Sequence, residues 1–299
     1  MRFAKLACMA DTTPILLGRL ELILAIGSAL AYTVACLILR FAQSQFIFFP
    51  SRKIKATPEE FNLSYQEVWL PITTKKGKRE QVHGWWIPSP STSLKAERVI
   101  LDCHGNRSNI SANLDYAQQF HLMNLSVFLI DYRGYGRSTK RIPSEATVYQ
   151  DVEAAWNYLI HERGIEPHNI FVFGHSLGGA IAIDLASKHP EIAGLIIESS
   201  FTSIRKMVDF KKIYWMFPID ILLTQTFNSI AKVSQLKMPI IFTHGTHDRV
   251  VPVEMSHDLF ASATEPKQLL IIPGAGHNDV RQAGGSRYRE ALQQFIEQC

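Results

Sequence analysis

Six residues, Gly174-His175-Ser176-Leu177-Gly178-Gly179, constrain this chain more than any others. They follow the apolar run Ile170-Phe171-Val172-Phe173 and precede the helix-like stretch Ala180 to Ala186. Strand, G-x-S-x-G, helix is the setting in which this pattern forms a nucleophile elbow. The turn is so tight that a Cβ at either flanking position, 174 or 178, is expected to clash. The serine hydroxyl then projects above the sheet edge, and the helix N-terminus beneath it favours developing negative charge. Because the bare pattern also arises by chance, a merely structural turn is the alternative. The strand before it and the helix after it favour the nucleophile.

The rest of the chain is organised to suit. From Tyr65 onward, short apolar strands alternate with amphipathic helices, which predicts an α/β domain built on a mostly parallel central sheet flanked by helices. Val68–Leu70 and Val82–Ile87, separated by the turn residues Thr74–Lys78, read as an opening antiparallel hairpin. Further strands are expected at Val99–Cys103, Val127–Ile130, Ile170–Phe173, Gly194–Ile197, Ile240–Phe242 and Leu269–Ile272. Helices are expected around Ala112–Leu122 and Val148–Leu159, and a last one over Ser286–Glu297. Between the sixth and seventh strands, residues 203–237 form a short helical, cap-like insertion rich in apolar side chains, among them Met207, Phe210, Trp215 and Phe217. It either covers an acyl pocket, rests on a membrane, or simply closes the edge of the core.

The N-terminal segment, residues 1–50, carries a second signal. Leu22–Leu39 runs without a charge between Glu21 and Arg40, close to the minimum length of a transmembrane helix. A membrane anchor around residues 20–42 is the expectation. A cleaved secretory signal, with Ala29-Leu30-Ala31 as its site, and a buried core helix are the rival readings. Arg19 and Glu21 interrupt the region a signal would need to be apolar. Arg2, Lys5 and Arg19 precede the span, and Arg40, Arg52, Lys53 and Lys55 follow it, a slight excess that favours a single-pass protein with a cytoplasmic catalytic domain. Residues 51–64 read as a polar linker to the domain at 65–299.

Composition narrows the function classes. With 31 basic and 27 acidic residues the net charge is +4, too mild to argue for nucleic acid. The four cysteines, Cys8, Cys36, Cys103 and Cys299, are widely spaced and form neither a metal nor a disulfide pattern. Cys103 falls in an apolar strand and reads as a small core residue. No metal or cofactor is called for by the chemistry below.

In open sheets of this kind, reactive groups gather at the carboxyl ends of the strands. Serine needs an imidazole to accept its proton, and the imidazole needs a carboxylate to hold its tautomer. After the strand at 240–242 comes Thr243-His244-Gly245-Thr246-His247-Asp248, and after the last strand comes Pro273-Gly274-Ala275-Gly276-His277. The chain order Ser176, Asp248, His277 is the order this architecture uses. Of 11 histidines, His277 alone occupies a Gly-rich loop after the last strand. His104 and His175 are expected to pack or bond locally. Glu198 is the rival acid, and Asp279 is too near His277 in sequence to orient it from behind. The tetrahedral oxyanion needs donors, expected from the backbone N–H groups of Leu177 and Asn106, the latter in the loop His104-Gly105-Asn106.

The ordered set His104-Gly-Asn, Asp131-Tyr-Arg-Gly-Tyr-Gly-Arg-Ser138, Gly174-His-Ser-Leu-Gly-Gly179, Glu198-Ser-Ser-Phe-Thr-Ser203, His244-Gly-Thr-His-Asp248 and Gly274-Ala-Gly-His277 resembles the α/β-hydrolase superfamily. It is most similar to the Bem46-like branch, whose members often carry one N-terminal anchor. The resemblance runs from Tyr65 to the C-terminus and implies a serine hydrolase with its triad on Ser176, Asp248 and His277. It also implies a structural role for Asp131–Ser138, with Asp131 and Arg133 bracing loops. The relatives that remove acyl groups from proteins have a cysteine-rich N-terminus, where this chain has only Cys8 and Cys36. Together these readings lead to a membrane-anchored hydrolase of ester or thioester bonds, its partners an apolar acyl substrate and membrane lipid. Serine peptidase activity and a catalytically silent, membrane-tethered interaction module are the alternatives.

Overall fold

The computed structural model describes residues 13–74, 77–90 and 97–299, with side chains from Leu17 onward. Arg2, Lys5 and Cys8, the side chains of Pro14–Leu16, and Lys75 and Lys76 of the hairpin turn lie outside the described residues. The chain divides into two compact units, each described by itself: residues 1–43 with 216–224, and residues 44–215 with 225–299.

The larger unit is built on an eight-stranded sheet. Its strands are β1 (Gln66–Thr73), β2 (Arg79–Ile87), β3 (Val99–Cys103), β4 (Ser126–Asp131), β5 (Ile170–His175), β6 (Gly194–Glu198), β7 (Ile240–Gly245) and β8 (Lys267–Ile272). Their spatial order is 8-7-6-5-3-4-2-1. β1 pairs antiparallel with β2, and β2 antiparallel with β4; the other neighbours are parallel. This is the sheet the resemblance implies. Strands β3, β4, β6 and β7 are buried at every position, as continuous apolar runs covered on both faces should be. Two hydrophobic clusters, one on each face, hold the sheet: Leu101, Val172 and Leu195 point to one, and Ile100, Phe171 and Ile196 to the other. Cys103 is buried in the first.

Four helices set the site. Leu114–Leu122 (α2) and Glu145–Asn157 (α3) pack on opposite faces, and Leu177–Lys188 (α4) is buried over its first ten residues. The last helical stretch, α5 (Val280–Gln298), holds the helix expected over Ser286–Glu297 and a shorter helical piece before it. Gly285, with φ 52° and ψ −126°, is non-helical and separates the two pieces, so the longer one starts at Ser286 as expected. The linker is stitched to this unit: Phe49–Pro50 pairs parallel with Arg107–Ser108, and Asn109 Nδ2 donates to the carbonyls of Ser51 and Lys53.

Asp131–Ser138 acts as a brace. The Asp131 carboxylate accepts from the Ile110 N–H, and Ser138 Oγ donates to the Asp131 carbonyl. Arg133 is fully buried between Asp151 (2.5 Å) and Glu80 (2.7 Å).

In the smaller unit, the helix α1 (Thr13–Phe41) contains one stretch, Leu17–Phe41, long and apolar enough to cross a membrane. Its side chains are almost all exposed, which argues against the buried-core-helix reading. The segment Met216–Thr224 belongs to the same unit.

Candidate active site

The elbow is strained where a nucleophile should be. Ser176, between β5 and α4, has φ 54° and ψ −118°, a conformation costly for a non-glycine residue and kept where the surroundings over-determine it. Three contacts do so. The Ser176 N–H donates to the Glu198 carbonyl (2.8 Å), and the Ser176 carbonyl accepts from Ser200 Oγ (2.8 Å) and the Gly179 N–H (3.0 Å). The flanking glycines are required by close approach. A Cβ on Gly174 would lie 2.4 Å from the Gly178 carbonyl oxygen, and one on Gly178 would lie 1.8 Å from that of Cys103.

Three side chains carried on three strand ends meet here. His277 Nε2 lies 3.0 Å from Ser176 Oγ, and His277 Nδ1 lies 2.6 Å from Asp248 Oδ2. The second contact fixes the tautomer, since a carboxylate can only accept. Nδ1 therefore carries hydrogen and Nε2 is left as the acceptor facing the serine hydroxyl. Asp248 is in turn held rigidly: its Oδ1 accepts from the N–H groups of Val250 (2.7 Å) and Val251 (2.9 Å), and His244 Nε2 lies 3.1 Å from its Oδ2. Burial works to raise the Asp248 pKa, but hydrogen bonds from His244, His277 and the Val251 amide outweigh it. The carboxyl is held well below the usual carboxylate range.

The rival acid is committed elsewhere. Glu198 is fully buried and accepts from the hydroxyls of Tyr116 (2.5 Å) and Thr243 (3.2 Å). Burial and the Glu198 charge push the Tyr116 hydroxyl well above its ordinary pKa, so that it stays a donor. Asp279 accepts from the Gly276 N–H (2.5 Å) and shapes the loop that carries His277.

The loop after β3 lies over Ser176, since a Cβ on Gly105 would come within 3.7 Å of Ser176 Cβ. Asn106 is tied down by its other groups: its side-chain amide donates to the Ile47 carbonyl (2.8 Å), and its own carbonyl accepts from Tyr135 Oη (2.8 Å) and the Phe49 N–H (2.9 Å). Leu177 opens α4 immediately after Ser176.

Sequence reasoning placed His175 among residues with only local contacts, and the structure corrects this. Its Nε2 lies 3.0 Å from the His277 carbonyl oxygen, 102 positions away. A carbonyl only accepts, so His175 donates. Burial lowers its pKa, with the His277 charge acting the same way and Glu198 opposing, which favours the neutral ring. No motif signals such a link, because it depends on the approach of two loops. His104 behaves as expected, bonding the neighbouring Gly105 carbonyl (2.7 Å), and burial lowers its pKa.

Comparison with known proteins agrees with this architecture. Residues 95–232 match the family described as serine aminopeptidase, S33. The chain is 34% identical over 213 residues to alpha/beta hydrolase domain-containing protein 17B of Homo sapiens, covering 69% of this chain and 68% of that one. It is 30% identical over 279 residues to protein bem46 of Schizosaccharomyces pombe, covering 90% and 91%. Among solved structures, the esterase Pf2001 of Pyrococcus furiosus superimposes with a TM-score of 0.67 at 19% identity, covering 84% of this chain and 98% of that one. The extended likeness to bem46, on a sheet of this order, makes the chain a member of the α/β-hydrolase superfamily related to Bem46.

Proposed function

We propose that this chain is a membrane-anchored serine hydrolase that cleaves ester or thioester bonds of apolar acyl substrates through an acyl-enzyme. The observation that carries the reading is the hydrogen-bonded row Asp248–His277–Ser176 ending on a strained elbow. Ser176 Oγ attacks the acyl carbonyl while His277 Nε2 takes its proton. The tetrahedral intermediate collapses, the His277 proton passes to the leaving alcohol or thiol, and the acyl group remains on Oγ. Water, deprotonated by the same imidazole, then releases the acid and restores the serine. Asp248 holds the Nδ1–H tautomer and offsets the imidazolium charge. The N–H groups of Leu177 and Asn106 receive the oxyanion, each contributing about 3–4 kcal/mol of barrier lowering in sites of this type.

The apolar helix α1 supports the anchor, and the match to a family described as serine aminopeptidase supports a second reading, a peptidase using the same three residues. The experiment is labelling of the full-length protein with a fluorophosphonate probe, beside Ser176→Ala. Labelling that disappears in the variant supports the serine; a folded wild type that stays unlabelled refutes the enzyme. Hydrolysis of p-nitrophenyl esters and thioesters of increasing chain length, set against aminoacyl amides, then separates the two substrate classes.

A further inference from the structure

The insertion after β6 is expected from sequence to cap an acyl pocket, to rest on a membrane or to close the core edge. Part of it, Met216–Thr224, belongs to the smaller unit with α1. The Tyr32 hydroxyl donates to the Met216 carbonyl (2.9 Å), and its ring stacks on Phe217 with centroids 5.5 Å apart and planes 8° from parallel. At the end of α1, Gln43 Nε2 donates to the Leu222 carbonyl (2.6 Å), and Gln43 Oε1 accepts from the Thr224 N–H (2.9 Å). The segment Met216–Thr224 therefore runs along the last turns of the apolar helix.

We infer that Met216–Leu223 is a second membrane-immersed element, its exposed apolar side chains covered by lipid acyl chains alongside α1. This rests on the membrane reading of α1 given above. Leu17–Phe41 has 25 residues, about 37 Å at helical rise, against a hydrocarbon core of about 30 Å. Tyr32 stands nine residues before Phe41, which puts it about 10 Å inside the hydrocarbon boundary when the stretch is centred. Whatever stacks on Tyr32 shares that depth.

Two further observations fit lipid rather than water. Met216 is 53% exposed and Ile221 77% exposed, side chains that water would penalise and acyl chains would not. The backbone is also largely self-satisfied, as non-helical chain at membrane depth must be. The N–H groups of Ile221 and Leu222 donate to the Pro218 carbonyl, Ile219 N–H to Phe217, and Leu223 N–H to Ile219. Pro218 has no N–H, and the carbonyls of Met216 and Leu222 are taken by Tyr32 and Gln43. Asp220, two residues before the Gln43-bonded Leu222, is the single charged residue of Met216–Thr224, and immersion requires its carboxylate to reach the headgroup layer.

The test uses the full chain in phosphatidylcholine vesicles, with a photoreactive benzoylphenylalanine placed singly at Met216, Ile221, Leu30 or Leu122. Leu30 reports the anchor, and Leu122, 75% exposed on α2, reports a water-facing apolar site. Lipid adducts at 216 and 221 within about threefold of those at Leu30, and about tenfold above Leu122, are expected. Adducts at Leu30 without adducts at 216 and 221 overturn the inference and leave the anchor standing. Absence of adducts at Leu30 as well removes the anchor and the inference with it. Against the risk that the bulky label unseats the segment, Ile221→Trp adds fluorescence that mid-chain brominated lipids should quench. Added fluorescence that these lipids leave unquenched contradicts immersion.

Discussion

His175 Nε2 donates to the carbonyl oxygen of His277 at 3.0 Å, joining the residue before the elbow serine to the loop that carries the proposed base. The bond sets where the imidazole sits, and displacement by about 1 Å in such a site costs about 10²-fold. His175→Ala is expected to lower the rate of fluorophosphonate labelling by about 10–100-fold, and His175→Gln, which can still donate, by less. Equal loss in both variants, with unchanged thermal unfolding, would show that the bond does not position the base.

Asp248→Asn should leave the fold intact, because the Val250 and Val251 amides can still donate to a carbonyl oxygen. An amide facing Nδ1 can donate, so the wrong tautomer of His277 becomes available. Ester turnover is expected to fall about 10³–10⁴-fold. A fall of less than tenfold would move the acid's role elsewhere.

Gly178→Ala places a methyl group 1.8 Å from the Cys103 carbonyl oxygen, a backbone atom that β3 holds in place. The expected result is a protein that fails to accumulate or unfolds many degrees lower. Gly276→Ala, whose methyl group would meet only Asp279 at 3.3 Å, should retain a near-native melting temperature. Circular dichroism melts of the two variants provide the comparison.

Asp102 gives a pH dependence of stability. Burial, reinforced by the Glu198 charge and opposed by the Asn113 hydrogen bond, pushes its pKa up to about 8. In an unfolded chain the value is about 4. Between these limits the folded state holds a proton that the unfolded state has released, so stability falls as pH rises and levels off above about pH 8. Asp102→Asn removes this slope while keeping an oxygen for Asn113. Its melting temperature should match or trail the wild type near pH 4 and exceed it by several degrees near pH 8. A difference that does not change with pH would contradict the assignment. Asp151, also raised by burial, to about 6 against the pull of Arg133, is common to both proteins and cancels.

How far the sequence could be read depended on whether a signal was local. Apolar runs such as Val99–Cys103 mark strands because both faces are covered, whereas β1, exposed at most positions, shows instead in the short stretch Val68–Leu70 and its hairpin turn. Ser176 stands out because a Cβ on either flanking glycine would strike backbone. Asp248 and His277 stand out by following strands in the order the chemistry uses, and the structure brings both into hydrogen-bonded contact. The residues alone leave Glu198 as a rival to Asp248, because nothing local tells that the hydroxyls of Tyr116 and Thr243 donate to Glu198. The same holds for the apolar insertion. Nothing in the residues 203–237 says that Phe217 stacks on Tyr32, because amphipathic or apolar pattern reports burial without naming the partner.

The parallel pairing of Phe49–Pro50 with Arg107–Ser108, and the bond from Asn106 to the Ile47 carbonyl, have a consequence for proteolytic shedding. A protease cutting ahead of Ser44 would sever α1 from the rest of the chain, with the strand Phe49–Pro50 still paired and the loop over Ser176 still clamped. A cut beyond Pro50 would strip that strand and slacken the loop. The position of a single scission, a few residues either way, therefore decides whether the loop over Ser176 keeps its clamp or loses it.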